Sequence, residues 1–291
     1  IASVRYQISD STQFGDNFIL YSDNSGITIL TGQYLKLQIT TNQGYSVVNL
    51  LCNDNNVVIN YPYEQNNNQA LIQGIIADTT ITIDTEINEY SFEAGIVNNG
   101  QEGTINIETQ PNISGKYNYN TEITLSATSE QVGGLDKYNF IGWFTDLEGL
   151  NFYSAENPLT FTLTEDTTLY AKFEIKTYNV TYQIGSSYDG YGTLSGNVNQ
   201  VVNFGESSEG VTVEVGLGYE FTRWVITRGE DVSYSEDLTL VIDNVTSDVQ
   251  CVAEFNKKDV TINLQVSIEG EIITTGVDKV AIQYVSGAEG T

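Results

Sequence analysis

The sequence predicts a predominantly β protein built as an array of small tandem modules with little helix. Two observations support this prediction. Runs in which apolar and polar residues alternate, as they do on a strand with one buried face, recur along the whole chain, whereas the i, i+3, i+4, i+7 pattern of an amphipathic helix is almost absent. A set of aromatic landmarks also recurs at a nearly constant spacing, which is the signature of a repeat architecture.

The repeat is clearest between residues 138–174 and residues 219–256, where three landmarks keep their order. The first landmark recurs at an offset of 81 residues, from 138 to 219, and the last at an offset of 82 residues, from 171 to 253. The paired motifs are Tyr138-Asn-Phe140-Ile-Gly-Trp143 with Tyr219-Glu-Phe221-Thr-Arg-Trp224, Leu159–Leu163 with Leu238–Ile242, and Ala171-Lys-Phe173 with Ala253-Glu-Phe255. Aromatic side chains bury much apolar area, so these positions predict a structural core. The predicted core residues are Phe140, Trp143, Phe173, Phe221, Trp224 and Phe255.

Two motifs in this stretch resemble a known family. GWFTD at residues 142–146 and TLYAKFE at residues 168–174 are similar to the Listeria–Bacteroides repeat, the InlB B-repeat type of domain found in bacterial surface proteins. The resemblance implies a small β-grasp-like unit that is repeated in tandem, exported and strung out in an elongated array from the cell surface. Periodicity alone indicates only a small β-rich repeat.

These landmarks divide the chain into four predicted segments. Residues 1–87 (module one) are predicted as a divergent β repeat module, residues 88–175 (module two) as an InlB B-repeat-like module, residues 176–256 (module three) as a divergent InlB B-repeat-like module, and residues 257–291 as an extra β segment. Module one lacks the tryptophan: Val47 takes the place of Phe140, and either Asn49 or Leu50 takes the place of Trp143.

Alternation predicts the individual strands in order. They are 4–8, 27–30, 34–39 and 78–83 in module one, 90–97, 104–109, 122–127, 159–163 and 167–173 in module two, and 178–184, 201–204, 211–215 and 238–242 in module three. Asn99-Gly100 is a tight-turn signal between two of them. Each module of about 80 residues is large enough for a core of its own.

The last segment opens with an alternating strand whose apolar face consists of Val260, Ile262, Leu264 and Val266. The 35 residues from 257 to 291 are too few for a fourth module of this kind. Three interpretations remain open: the beginning of another repeat, a strand added to module three, or a strand donated to a neighbouring molecule. Residues 4–8 are the other candidate for such a donated strand.

Charge excludes several functions. The chain has 38 acidic and 11 basic residues, a formal charge of −27, and no histidine. Nucleic-acid binding and attachment to an anionic membrane both require basic surface, so neither is expected. Without histidine, a Ser/His/Asp or Cys/His catalytic arrangement cannot form. The chain lacks methionine, which indicates a processed product or a piece of a longer protein. It also lacks any long apolar run, so no membrane insertion is expected in this segment.

Other candidate sites are weaker. The acidic clusters at residues 10–16, 54–56, 146–148 and 230–231 have the ligand type that Ca²⁺ prefers but not the spacing of a known calcium loop, so we expect no cofactor. Cys52 and Cys251 lie in different modules and are expected to be free thiols. The loop tyrosines are candidates for contacts with a glycan or a receptor; they are Tyr61, Tyr63, Tyr188 and Tyr191.

The functional expectation is a non-enzymatic, extracellular structural repeat protein at the bacterial cell surface, acting as a stalk, a spacer or an adhesin segment. One alternative is a self-assembling subunit of an extracellular filament or phage surface appendage that uses strand donation. Another is a module that binds a glycan or a host protein. The expected partners are proteins, including further copies of the chain, and a surface glycan is possible under the last alternative.

Overall fold

The computed structural model describes residues 1–22, 26–65 and 67–261, and the backbone of residues 267–268 and 271–272. The protein is predominantly β, which confirms the predicted class, and helix in the described residues is limited to the short 3-10 turns Val97–Asn99 and Ser186–Tyr188. The chain divides into two compact units, Ile1–Lys176 and Thr177–Thr291.

The strands are numbered in chain order. The first unit contains β1 Ser3–Ser9, β2 Ile19–Tyr21, β3 Tyr34–Thr40, β4 Tyr45–Cys52, β5 Val58–Asn60, β6 Gln69–Gln73, β7 Ile81–Ile87, β8 Glu89–Tyr90, β9 Phe92–Ile96, β10 Gly103–Ile107, β11 Tyr117–Asn118, β12 Thr121–Ser129, β13 Gln131–Val132, β14 Leu135–Asp136, β15 Tyr138–Phe144, β16 Phe152–Ser154, β17 Leu159–Leu163 and β18 Thr167–Ile175. The second unit contains β19 Thr177–Ile184, β20 Gly192–Ser195, β21 Asn199–Asn203, β22 Val211–Val215, β23 Tyr219–Arg228, β24 Asp231–Ser235, β25 Thr239–Leu240, β26 Val249–Lys257, β27 Ser267–Ile268 and β28 Glu271–Ile272.

Module three consists of two sheets that enclose one core. The larger sheet has the order β21-β19-β26-β23-β24 and the smaller one β20-β22-β25. The opening strand β19 runs parallel to the closing strand β26, while the other pairs in these two sheets are antiparallel. Val180 of the opening strand, Val213 of the smaller sheet and Cys251 of the closing strand all belong to the buried core.

Module two repeats this connectivity. Its larger sheet has the order β16-β15-β18-β9, its smaller sheet β10-β12-β17, and its opening strand β9 again runs parallel to its closing strand β18. The aromatic strand carries a register shift at the same place in both modules, between Phe140 and Gly142 and between Phe221 and Arg223. Such a bulge places two residues opposite one and turns the following side chain to the other face. In both modules the tryptophan that follows the bulge therefore points into the core.

Module one contains a five-stranded sheet in the order β2-β1-β3-β6-β5, which corresponds to the smaller sheet, and a two-stranded antiparallel sheet of β4 with β7. The same bulge lies between Val47 and Asn49. Leu50 then pairs with Ile83 as Trp143 pairs with Ala171, and it is only 6% exposed. Leu50, and not Asn49, thus takes the position of the tryptophan.

Some predictions need correction. Residues 27–30 form no strand, although Ile27 packs against the core as an inward-facing strand residue would. Residues 4–8 lie in β1, which has β2 on one edge and β3 on the other, so this strand is integral to its own module and is not available for donation. The β-grasp comparison is not confirmed: that fold packs a helix on a sheet, whereas here two sheets supply each core in the described residues.

The predicted strand at residues 260–266 falls mostly outside the described part of the chain. Val260 is described; it belongs to no strand and is 77% exposed. Ile262, Leu264 and Val266 lie outside the described residues.

Candidate functional site

The two tryptophans hold equivalent places in modules two and three. Trp143 and Trp224 are both fully buried. The indole Nε1–H of Trp143 donates to the carbonyl oxygen of Glu156 at 3.0 Å, and that of Trp224 donates to the carbonyl oxygen of Asp237 at 3.1 Å. Because a buried indole N–H needs a partner, each bond also fixes the loop that supplies the carbonyl.

The predicted core phenylalanines surround these tryptophans. The ring of Phe140 lies 5.4 Å from that of Trp143 and 5.7 Å from that of Phe173, in both cases edge-on. Phe221 makes the same two contacts at 5.9 Å, with the tryptophan of its own module and with Phe255. The rings pack against one another in the core, so they do not form an open platform on which a sugar could stack.

A pair of aspartates connects opening and closing strands. Asp166, just before β18, accepts hydrogen bonds from the backbone N–H of Ser91 at 2.7 Å and from its hydroxyl at 2.9 Å. Asp248, just before β26, accepts the backbone N–H of Asn179 at 2.8 Å. Each aspartate thereby holds the residue that precedes the first core position of its opening strand.

The carboxylate of Asp166 has a pKa below its ordinary value, chiefly because the backbone N–H of Ser91 stabilises the charged form, followed by the Ser91 hydroxyl. A group with a lowered folded-state pKa contributes stability above its unfolded-state pKa, and that contribution disappears as pH falls through the folded-state value. The signal in the sequence is the recurrence of aspartate at a fixed distance before each closing strand.

We therefore expect the stability of the first unit to fall as pH drops below about 4, the ordinary pKa of an aspartate. Thermal unfolding followed by the fluorescence of Trp143, in a chain in which Trp224 is replaced by Phe, measures this. Asp166→Asn should lower the unfolding midpoint at neutral pH and flatten its decline in acid. Glu165→Gln removes a neighbouring charge without removing the two bonds and is the control. An acid decline equally steep in Asp166→Asn and in Glu165→Gln would contradict the assignment.

Module one has a cavity where the opening strand lies in the other two modules. Among the described residues, β7 pairs with β4 alone, so its second edge has no strand beside it. A cavity of about 700 Å³ lies along this edge. Ile81 and Ile83 of β7 and Val4, Leu35 and Leu37 of the smaller sheet line it. Residues 26–29 and 31, and residues 75–80, also belong to the lining. We call this cavity the module-one slot.

Asp78 lies in the lining of the slot and corresponds to Asp166 and Asp248. It precedes Ile83 by five residues, as Asp166 precedes Ala171 and Asp248 precedes Ala253. Among the described residues, Asp78 is exposed and its carboxylate accepts no hydrogen bond from an opening strand. The slot therefore combines a lining of mixed apolar and polar residues, a strand edge that is unpaired among the described residues, and the aspartate that holds an opening strand elsewhere in the chain.

The loop tyrosines are partly engaged within the protein. The hydroxyl of Tyr61 donates to the carbonyl oxygen of Val47 at 3.0 Å, which ties its loop to β4. Tyr191 stacks on Tyr219 with ring centroids 3.9 Å apart, and Tyr188 packs 6.2 Å from Phe255. Tyr63 lies beside Lys36, whose ammonium group is 5.3 Å from its ring. These contacts weigh against a glycan platform made of loop tyrosines.

The remaining polar candidates form turns. Asp146 accepts the backbone N–H groups of Leu150 at 2.9 Å and Asn151 at 2.5 Å, which closes its loop and lowers its pKa. Within the described ranges, no three His, Cys, Asp or Glu side chains lie together in a group that could hold a metal ion. Cys52 and Cys251 are free thiols, and burial raises the pKa of Cys251 to about 12.

The comparisons with known proteins agree with the motifs. Residues 96–177 match the family described as a divergent InlB B-repeat domain, which confirms the resemblance for this part of the chain. The chain matches no curated protein and no solved structure. Domains of this family occur in bacterial surface proteins. In the part of the chain that the structure describes, no helix has the length and apolar character needed to cross a membrane.

Proposed function

We propose that this chain is a non-catalytic, extracellular segment of a bacterial surface protein, in which stacked β modules act as a stalk or spacer for an adhesive or other terminal domain. The observation that supports the proposal most strongly is that modules two and three share a three-stranded smaller sheet and a larger sheet in which a parallel opening strand lies beside the closing strand, with Trp143 and Trp224 buried in the same way. A structural array typically repeats its core residues without repeating a functional site on its surface.

The side chains of the described residues support a role without catalysis. Histidine is absent, and the carboxylates with lowered pKa accept structural backbone N–H bonds: those to Asp146 close its turn, and the one to Asp166 joins two strands. A catalytic acid at neutral pH would need a raised pKa in a cleft instead. The charge of −27 supports an exported role, because self-repulsion keeps an exposed array soluble.

Self-assembly into a filament is the second candidate, and the module-one slot favours it. An unpaired strand edge beside a cavity is a feature that an added strand can complete. The two candidates are compatible, because a surface stalk can consist of one long chain or of several copies joined end to end.

Surface exposure tests the proposed function. Antibodies raised against the folded chain should label intact cells of the bacterium that encodes it, and a protease added to intact cells should remove the label. A cytoplasmic protein should stay unlabelled in the same cells. Labelling that appears only after the cells are permeabilised would contradict the proposal.

A further inference from the structure

We propose that Tyr191 and Tyr219 form a site of covalent modification, at which a one-electron oxidant joins the two rings through a carbon–carbon bond as a dityrosine. The link ties the two sheets of module three together, because Tyr191 immediately precedes β20 of the smaller sheet and Tyr219 is the first residue of β23 in the larger one. The inference goes beyond the proposed function, since the reaction can take place in any compartment that supplies such an oxidant.

The rings of Tyr191 and Tyr219 lie face to face. Their centroids are 3.9 Å apart and their planes differ by 21°. This is closer than the roughly 4.5–7 Å at which aromatic pairs in proteins usually pack. The unpaired electron of a phenoxyl radical occupies orbitals perpendicular to the ring, partly on the carbons ortho to the oxygen. A stacked partner therefore lies in the direction in which the new bond forms.

The other close tyrosine pairs among the described residues lack this alignment. Tyr188 lies 6.0 Å from Tyr191 with the ring planes at 65°, and Tyr90 lies 6.4 Å from Tyr119 with the planes at 60°. In both pairs the rings are tilted or edge-on, so the orbitals of one ring do not point at the other. Tyr191 thus has two tyrosine neighbours, of which only Tyr219 is placed to couple.

Backbone hydrogen bonds hold the two stacked rings in place. The N–H of Gly216 donates to the carbonyl oxygen of Tyr191 at 2.8 Å, and the N–H of Tyr219 donates to the carbonyl oxygen of Gly216 at 3.2 Å. A Cβ atom at Gly216 would lie 2.8 Å from the carbonyl oxygen of Tyr191, so glycine permits the close approach. Because the rings are in contact before oxidation, their coupling is unimolecular and should outcompete links between copies.

The module fold does not require this pair of rings. Gly103 and Gly192 hold equivalent places in modules two and three, since a Cβ atom at either would meet the ring of the last core phenylalanine and a carbonyl oxygen of the paired strand. Glu102 precedes Gly103, whereas Tyr191 precedes Gly192. Module two therefore folds with a carboxylate at this position, and the stacked tyrosine is a specific feature of module three.

Composition and burial direct oxidation to the tyrosines. The chain has 19 tyrosines and no methionine, and the methionine thioether is otherwise a common target of oxidants. Trp143, Trp224 and Cys251 are fully buried. Tyr191 and Tyr219 are half-buried, and the glycine that precedes each of them is exposed. A small oxidant in solution can therefore approach the stacked pair.

The reaction removes one electron and one proton from each phenol. The oxidant takes the two electrons, by which a peroxide is reduced to water and persulfate to sulfate. The two phenoxyl radicals then share their unpaired electrons in a bond between ortho carbons. The hydrogen on each of these carbons leaves as a proton and each oxygen is protonated again, which restores both aromatic rings. The product has two hydrogen atoms fewer than the two tyrosines.

Photo-oxidation of the full chain tests the assignment. With Cys52 replaced by serine to prevent disulfides, the protein is illuminated with ruthenium tris-bipyridine and limiting persulfate at low protein concentration. The monomer should acquire the blue fluorescence of dityrosine, and a peptide map should show residues 191 and 219 joined with the loss of two hydrogen atoms. The yield should not change on further dilution, because the link lies within one chain.

Phenylalanine variants locate the link. Tyr191→Phe and Tyr219→Phe keep a ring in the stack but cannot form a phenoxyl radical there, so each should lose the cross-linked peptide. Tyr188→Phe removes only the edge-on neighbour and should keep the link, as should Tyr234→Phe, which alters an exposed ring of β24. Circular dichroism checks that all four variants fold.

The link should also stabilise the second unit. A cross-link between residues 191 and 219 lowers the conformational entropy of the unfolded chain, so the oxidised monomer should unfold at a higher urea concentration than the untreated one. Oxidised Tyr219→Phe should show no such shift.

Two results would overturn the inference. They are an oxidised wild-type monomer without the joined 191–219 peptide, including one in which links form only between copies, and a cross-linked monomer whose yield Tyr219→Phe leaves unchanged. Neither result bears on whether the protein is exposed at the cell surface, so the proposed function stands or falls separately.

Discussion

Replacing Trp143 with alanine is expected to lower the free energy of unfolding of the first unit by about 3–5 kcal/mol. The indole is fully buried, and its removal leaves a cavity beside Phe140 as well as the carbonyl oxygen of Glu156 without its donor. Trp224→Ala should act in the same way on the second unit, because Asp237 supplies the equivalent carbonyl.

Chemical denaturation followed by circular dichroism measures this loss. Leu150→Ala is the matched control in the first unit, since Leu150 is highly exposed and its truncation should change the free energy by less than about 0.5 kcal/mol. Trp143→Phe keeps most of the apolar area but removes the N–H donor, so its effect should lie between the two. A loss of less than about 1 kcal/mol in Trp143→Ala would contradict the description of this residue as the centre of its core.

Replacing Gly103 with alanine is expected to destabilise the first unit by about 1–3 kcal/mol. A Cβ atom at this position would meet the backbone carbonyl of Thr128 and would lie 2.7 Å from the ring of Phe173. The backbone carbonyl belongs to the paired strand β12 and cannot move aside without breaking the sheet. Gly192 is crowded in the same way in module three, by the carbonyl oxygen of Glu214 at 2.6 Å and the ring of Phe255 at 2.9 Å.

Gly15→Ala provides the control for this prediction. Gly15 has no atom near the position of an added Cβ, so the same substitution there should be neutral or slightly stabilising, by less than about 1 kcal/mol. The two variants are compared by the shift of their unfolding midpoints in urea. Equal shifts would show that the close approach of Gly103 to β12 and Phe173 does not constrain the fold.

The repeated tryptophan positions could be predicted because aromatic landmarks recur at a constant spacing. The position of Leu50 could not be decided in the same way. Strict alternation from Val47 directs Asn49 inward, and the bulge between these two residues moves Leu50 into the core instead. A bulge adds one residue without leaving a clear mark in the sequence, which is why both candidates stayed open.

The alternation of apolar and polar residues also could not predict which strands pair. The parallel contact of opening and closing strands joins residues far apart in the chain, such as Ser91 and Asp166. Alternation shows which face of a strand is buried but not which strand lies beside it. The unpaired edge of β7, among the described residues, is therefore visible in the structure and not in the sequence.

Hydrogen–deuterium exchange of the closing strands tests most directly the claim that, among the described residues, β7 pairs on one edge only while β18 and β26 pair on both. Amides of residues 81–83 should exchange faster than those of residues 170–171 and 250–253, which have a paired strand on both sides. Equal protection of the three closing strands would contradict the claim.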